Sequence, residues 1–502
     1  MLLHPTSLPG SHGIGDLGKE AFDFIDFLSE TGQTLWQVLP LGPTGYGDSP
    51  YASFSTHAGN PMIISPQILI DQGYLSNCDF NGEPAFDKNN VNFGELIPWK
   101  GTLLAQAASV FIKKSIKEKK FIRFCREEAH WLDDFSVFMA VKEHFDEKAR
   151  QEKVHGAMWS NFWDKDIALK EPEAVQRWSE KLSCEIQKHK ILQYFFFDQW
   201  LKVKNYANNK SINIIGDIPI FVASDSSDVW SNRELFLLDK DGAPTSVAGV
   251  PPDYFSETGQ LWGNPLYNWE AMENNEFKWW IERIRGTLKL VNIIRVDHFR
   301  GFEAFWQVPA GNDTAVHGRW VKASGEKLFN KVEEVLGSLP ILAEDLGLIT
   351  KEVYDLRDSF SFPGMRILQF AFDAAEGDTG LEPGNIFLPH NYAPNSVVYT
   401  GTHDNSTMKG WLEKCNTEEL QYIRDYSGYE GEDLVWQFIR MALSSVSSYC
   451  IIPMQDFLEL DDNSRMNIPS TLGGNWSWRY SQDMINREIK KKMLNLTKIY
   501  GR

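Results

Sequence analysis

Four acidic residues stand where short apolar runs give way to polar turns: Asp217 in Ile-Ile-Gly-Asp-Ile-Pro, Asp297 in Ile-Ile-Arg-Val-Asp-His-Phe-Arg-Gly, Glu344 in Leu-Ala-Glu-Asp-Leu-Gly, and Asp404 in Tyr-Thr-Gly-Thr-His-Asp-Asn. Any one of them alone is as consistent with a helix cap or an arginine partner as with catalysis. Four at the ends of strands that converge on one mouth point to a site. The chemistry that suits them is cleavage of a glycosidic bond. A protonated carboxyl serves the leaving oxygen and an ionised carboxylate attacks the anomeric carbon, the two being about 5–5.5 Å apart when configuration is retained. Asp297 and Glu344 fall on neighbouring predicted strands and could meet that distance. Arg295, two residues before Asp297, points to the same side of its strand and favours the ionised form of a nearby aspartate. The residues by themselves do not say which carboxyl attacks.

The elements that must position these groups are legible as apolar runs rich in β-branched or aromatic residues, each ending in a Gly- or Pro-containing turn. They fall at 34–39, 61–64, 212–215, 292–296, 341–343, 366–370, 396–399 and 450–453. Many are separated by helical spacing, so the predicted fold is an α/β (β/α)8 TIM barrel with right-handed crossovers, assigned to 1–72 and 211–502. The stretch 73–210 is too long for a crossover and reads mostly as a helical insertion, with Trp131, Phe135, Phe138 and Met139 on one helical face. A second insertion, 224–269, is rich in Asp, Gly, Pro and aromatics and reads as a loop covering the C-terminal face of the barrel.

Composition excludes several classes. The 502 residues carry a formal net charge of −18, which repels polyphosphate backbones, so no nucleic-acid partner is expected. The basic run Lys113, Lys114, Lys117, Lys119 and Lys120 reads as a solvated helix face. Cys78, Cys125, Cys184, Cys415 and Cys450 are scattered and odd in number, which fits a reduced, cytoplasmic setting. The start is apolar for two residues after Met1 before Pro and Gly interrupt it, and no run of about 18 apolar residues follows, so neither secretion nor membrane insertion is expected. None of the 11 histidines forms an HExxH-type pair and no calcium loop is legible, so no metal and no organic cofactor is expected. The oligomeric state is not legible.

Over nearly its whole length the chain resembles the amylomaltases, or 4-α-glucanotransferases, glycoside hydrolase family 77. The marks are Leu-His-Pro-Thr-Ser-Leu-Pro-Gly near the start, Gly-Tyr-Gly-Asp-Ser-Pro-Tyr ending at Tyr51, Gly-Asp-Ile-Pro-Ile-Phe-Val from Gly216 and Pro-Pro-Asp-Tyr-Phe from Pro251. Further on stand Gly-Gln-Leu-Trp-Gly-Asn-Pro-Leu-Tyr from Gly259, Arg-Val-Asp-His-Phe-Arg-Gly from Arg295, Ala-Glu-Asp-Leu-Gly from Ala343 and Gly-Thr-His-Asp-Asn from Gly401. The resemblance implies that Asp297 is the nucleophile, Glu344 the general acid and base, and Asp404 the carboxylate that grips the sugar and stabilises the transition state. It places Arg295, His403 and Asp217 around the reacting ring and Ser49 and Tyr51 on the donor sugar. Tyr254, Phe255, Gln260 and Trp262 match the family's lid. The implied activity is transfer of α-1,4-glucan segments between maltooligosaccharides through a covalent glycosyl-enzyme, with soluble maltodextrins expected over granular substrates.

Two loops depart from the family pattern. Lys322-Ala323-Ser324-Gly325 replaces a Gly-Pro-Gly turn, and Met466-Asn467-Ile468-Pro469-Ser470 ends in Ser where Gly is usual. Rival readings are weaker. Gly13-Ile14-Gly15-Asp16-Leu17-Gly18 satisfies the GxGxxG dinucleotide pattern, yet Thr6-Ser7-Leu8-Pro9-Gly10-Ser11-His12 precedes it where a buried strand is required. A carbohydrate-binding protein without catalysis would not need three carboxylates at strand ends. An amylase-like retaining hydrolase is the nearest alternative.

Overall fold

In a computed structural model, which describes residues 1–252, 256–374, 381–471 and 473–502, the runs that end in the acidic residues become parallel strands. Among the described residues the eleven strands are β1 (Leu35–Gln37), β2 (Asn213–Pro219), β3 (Ser246–Val250), β4 (Gln260–Pro265), β5 (Ile293–Asp297), β6 (Ala304–Pro309), β7 (Arg319–Lys322), β8 (Ile341–Ala343), β9 (Gly364–Ile367), β10 (Ser396–Tyr399) and β11 (Tyr449–Ile451). Seven of them form one parallel sheet in the order β1-β2-β5-β8-β9-β10-β11. Leu2 bridges Gln37 on one edge of that sheet and Pro453 beyond the other, which closes it into a (β/α)8 barrel. Backbone bonds hold the seam: Leu2 N donates to Ile452 O at 2.9 Å, Leu3 N to Gln37 O at 3.0 Å, and Gln37 N to Met1 O at 2.8 Å.

The segment at Leu2 is therefore the eighth stave, lying between β1 and β11, and the run at 61–64, expected as a stave between 34–39 and 212–215, is not a strand. Pro61–Ile63 is a 3-10 turn whose N-cap Asn60 accepts from Met62 N. Proline has a fixed φ and no N–H to give to a ladder, so an apolar run that opens on Pro61 suits a buried turn better than a central strand. The sixth stave also differs. It starts at Gly364, and Gln369–Ala371 already leaves it as a 3-10 turn.

Strands buried on both faces need near-continuous apolar sequence, and β2 has it: every residue from Ile214 to Ile218 is buried. Gly216 permits the packing there, because an added Cβ would lie 2.7 Å from the Val291 side chain. Between β1 and β2 run the helices Phe93–Ser115, Lys119–Glu127, Ala129–Glu152, Pro172–Lys181 and Ser183–Asn209. Trp131, Phe135 and Phe138 are buried and Met139 partly so, as their spacing predicts. Lys142 ties the helix Ala129–Glu152 to the barrel face, pairing Asp225 at 2.7 Å while lying over the Phe54 ring.

The remaining strands form an antiparallel sheet in the order β4-β3-β6-β7. β3 and β4 lie within the stretch read as a covering loop. β6 and β7, which complete their sheet, follow Asp297 and were not anticipated. Of the four lid residues, Gln260 and Trp262 stand on β4, whereas Tyr254 and Phe255 lie outside the described residues.

Candidate active site

The site is assembled at the C-terminal ends of β2, β5 and β8 and in the loops after β10 and β11. β2 and β5 pair in parallel, with Asp217 opposite Arg295 and Pro219 opposite Asp297. That register lets one guanidinium serve two carboxylates. Arg295 Nη1 donates to Asp217 Oδ2 at 2.5 Å and to Asp297 Oδ2 at 3.0 Å. Tyr51 OH donates to the same Asp217 oxygen at 2.7 Å, and Ser49 Oγ accepts from Tyr51 N at 3.2 Å, which holds the loop that presents the phenol.

Burial divides these groups by task. The side chains of Arg295 and Asp217 are 4% and 0% exposed, whereas that of Asp297 is 27% exposed and open to an incoming ligand. Burial pushes Asp217 up to about 6, with Arg295 and His403 pulling it down and Asp297 pushing it further up. Burial works against the charge of Arg295, but Asp217 and Asp297 overcome this and raise its pKa well above the ordinary value. The guanidinium is a permanent cation beside Asp297.

Glu344 follows β8, next to β5, and its backbone N donates to Val296 O at 3.0 Å. One carboxylate oxygen accepts from Leu346 N at 2.9 Å, and the other lies 3.5 Å from His298 Nδ1. Trp262 stands edge-on to His298 at 5.4 Å, so β4 reaches the space beside the acid. Gln260 accepts from the Trp262 indole at 3.1 Å.

Asp404 closes the circle. Its Oδ1 accepts from Asn467 Nδ2 at 2.7 Å, its Oδ2 lies 3.3 Å from His403 Nε2, and its backbone oxygen accepts from Arg465 at 2.7 Å. His403 stacks on Tyr51 with centroids 5.3 Å apart, and Trp476 leans on both rings. A continuous series of contacts thus runs from Asn467 through Asp404, His403, Tyr51, Asp217 and Arg295 to Asp297.

Every sequence-derived site residue among the described ones falls in or beside this circle. His298, Arg465, Asn467 and Trp476 were missed. Asn467 had a weak signal, since its loop departs from the family pattern, but nothing local marks it as a partner of Asp404. Among the described residues no group of three or more His, Cys, Asp or Glu could hold a metal ion. What remains is a buried cation, a half-open carboxylate and three further carboxylates, a set that can hold a developing positive charge on a sugar ring and exchange groups at its anomeric carbon.

Comparison with known proteins agrees. A family model described as 4-alpha-glucanotransferase matches residues 3–484. The 4-alpha-glucanotransferase of Synechocystis sp. is 47% identical over 100% of this chain and 97% of its own. That of Thermus thermophilus is 48% identical over 95% of this chain and 94% of its own. Among solved structures, the amylomaltase from Streptococcus agalactiae in complex with acarbose superposes with a TM-score of 0.94 at 41% identity, covering 100% of this chain and 99% of that one.

Proposed function

The chain belongs to the 4-alpha-glucanotransferase family, and from that premise we propose how its own residues divide the reaction. It is a 4-α-glucanotransferase that moves α-1,4-glucan segments between maltooligosaccharides by a retaining double displacement. The observation that carries the assignment of roles is the Arg295 guanidinium shared by Asp217 and Asp297, beside Glu344 on the next strand.

Asp297 attacks the anomeric carbon, and the C1–O4 bond breaks as Glu344 gives its proton to the leaving O4. A covalent glycosyl ester results. Arg295 holds and aims Asp297; Asp217, fixed by Tyr51, keeps Arg295 in place. Asp404 and His403 hold the ring's hydroxyls, and Asn467 orients Asp404. In the second half Glu344 takes the proton from an acceptor 4-hydroxyl, whose oxygen displaces Asp297. Ser49 and Tyr51 shape the donor side; Gln260 and Trp262, with Tyr254 and Phe255, shape the acceptor side.

The deciding test follows reducing ends during incubation with maltotriose. Transfer leaves their number constant while glucose and longer chains accumulate; a steady rise would assign the chain to hydrolysis.

Water and a sugar hydroxyl are equally able to give a proton to Glu344 and attack the glycosyl ester, so selectivity comes from what occupies the acceptor space. We therefore expect Tyr254→Ala and Phe255→Ala to shift the balance toward hydrolysis. The ratio of glucose made by transfer to new reducing ends, taken from one maltotriose digest, reads this directly. An unchanged ratio at lower total rate leaves these rings a packing role only.

No helix among the described residues is long and apolar enough to cross a membrane. A cytoplasmic setting is our reading, supported by five free cysteines.

A further inference from the structure

We propose that the exposed indole of Trp320 is a second glucan-binding point outside the catalytic cleft, on which a glucose ring of a long α-1,4-glucan stacks while another part of the same chain lies at the carboxylates. The proposal rests on the reading of the chain as a glucan transferase.

The small antiparallel sheet has two different faces. Its register sets Leu261 opposite Gly249, Gly249 opposite Trp306, and Trp306 opposite Trp320, one row across all four strands. Side chains alternate along a strand, so Gln260 and Trp262 lie on the other face of β4, where Trp262 meets His298. One sheet therefore turns one face to the catalytic cleft and the other outward. The outward row runs from Leu261 to Trp320, both exposed, the latter 40%, and Val316, beside the Ala315 that binds Trp306, is exposed as well. Large apolar groups exposed together mark binding surfaces.

Trp320 is also built to stay still. The Arg300 guanidinium lies 3.9 Å from the centre of its ring. Arg300 is buried, and its Nε and Nη1 find no acceptor among the described residues, so the indole is a principal partner for that cation. Trp306 meets Trp320 at 67° and 5.3 Å, and is itself tied by a 2.8 Å bond from Nε1 to Ala315 O. With the cation over one face of the indole and Trp306 beside it, exposure falls on the remaining face. A rigid aromatic plane loses little freedom when a ligand stacks on it.

The rim supplies the rest. Lys322, two residues on and on the same face, pairs with Glu303, placing a donor and an acceptor beside the indole. An apolar plane edged by charged groups matches a pyranose, which has an apolar face and a belt of hydroxyls. Continuity with the cleft favours glucan over any other occupant, because β4 of the same sheet already borders the reacting bond. Neighbouring strands are about 4.8 Å apart, so β4 and β7 are separated by roughly 14 Å. A long, flexible glucan that wraps the sheet can engage both points; maltotriose seated at the carboxylates cannot. Tethering through a second point raises apparent affinity for long chains alone.

The test compares wild type, Trp320→Ala and Trp320→Phe on maltotriose and on soluble long-chain amylose, with migration in native gels containing glycogen. The expected result is that Trp320→Ala keeps the maltotriose kcat and KM, raises the amylose KM by about tenfold, and loses glycogen retardation, while Trp320→Phe keeps most of both. Equal effects on the two substrates, or unchanged retardation, overturn the proposal. So does a concentration-dependent doubling of mass that Trp320→Ala abolishes, which would give the patch to a second copy of the chain. Retardation measured in a Glu344→Gln background is independent of turnover, so failure of this proposal and failure of the catalytic reading remain distinguishable.

Discussion

Asp297→Asn and Glu344→Gln each lower turnover of maltotriose by more than about a hundredfold while the thermal transition stays close to that of the wild type. Both substitutions keep side-chain shape. Asn removes the negative oxygen that forms the glycosyl ester, and Gln removes the proton that O4 needs on leaving. The structure gives each variant a distinct signature. Asp297 has one strong partner, Arg295, and is half open, so its amide leaves little buried charge uncompensated. Glu344 is 7% exposed and accepts from Leu346 N, which Gln can still do through its carbonyl. A donor with a good leaving group bypasses protonation, so it restores the first half-reaction of Glu344→Gln and does nothing for Asp297→Asn. Steady-state rates with maltotriose and with such a donor check both points. A variant that kept most of its maltotriose turnover would remove its residue from the mechanism.

Arg295→Met has the second largest expected effect, and it falls on stability and activity together. Removing one partner of a buried ion pair leaves the other charge unpaired in a low-dielectric setting, at a cost of about 3–5 kcal/mol. Asp217 is the carboxylate so stranded. Its pKa, pushed up to about 6 by burial, lies above the ordinary 3.8. A carboxyl shifted upward contributes stability that is fully present below its unfolded pKa and is lost as pH rises through its folded pKa. Arg295 pulls Asp217 down, so its removal moves that loss to higher pH and enlarges it. The stability deficit of Arg295→Met therefore widens as pH is raised from about 5 to about 8. Denaturant unfolding at the two pH values measures it; a constant deficit would mean that Asp217 does not carry the effect. Activity falls by about a hundredfold or more, the loss typical of removing one preorganised electrostatic group from a site.

The four acidic residues and Arg295 were legible in the sequence because each sits at or just past the end of a run whose composition marks it as a buried strand, whereas His403 came only from the family resemblance. Position along such a strand fixes which side chains reach the mouth. Seven of the eight predicted staves overlap strands β1, β2, β5, β8, β9, β10 and β11, for the same reason. Others were harder to read. The segment at 61–64 has a strand's composition but opens on Pro61, and its capped turn was overlooked. Leu2 closes the barrel with one bridge on each side, a stave too short to leave a periodic signal. β6 and β7 carry Trp306 and Trp320, which read equally well as barrel core until pairing with β3 and β4 put them on an outward face.

The sequence by itself thus determined the barrel, its acidic mouth and the family, because strand composition and motif spacing are local properties of the chain. Tertiary structure alone decided which groups finish the site. Asn467 meets Asp404 across 63 residues, and Tyr51 meets Asp217 across 166. Barrel closure brings such pairs within hydrogen-bonding distance, and a contact made by closure depends on the path of the whole chain, which no short stretch of sequence encodes.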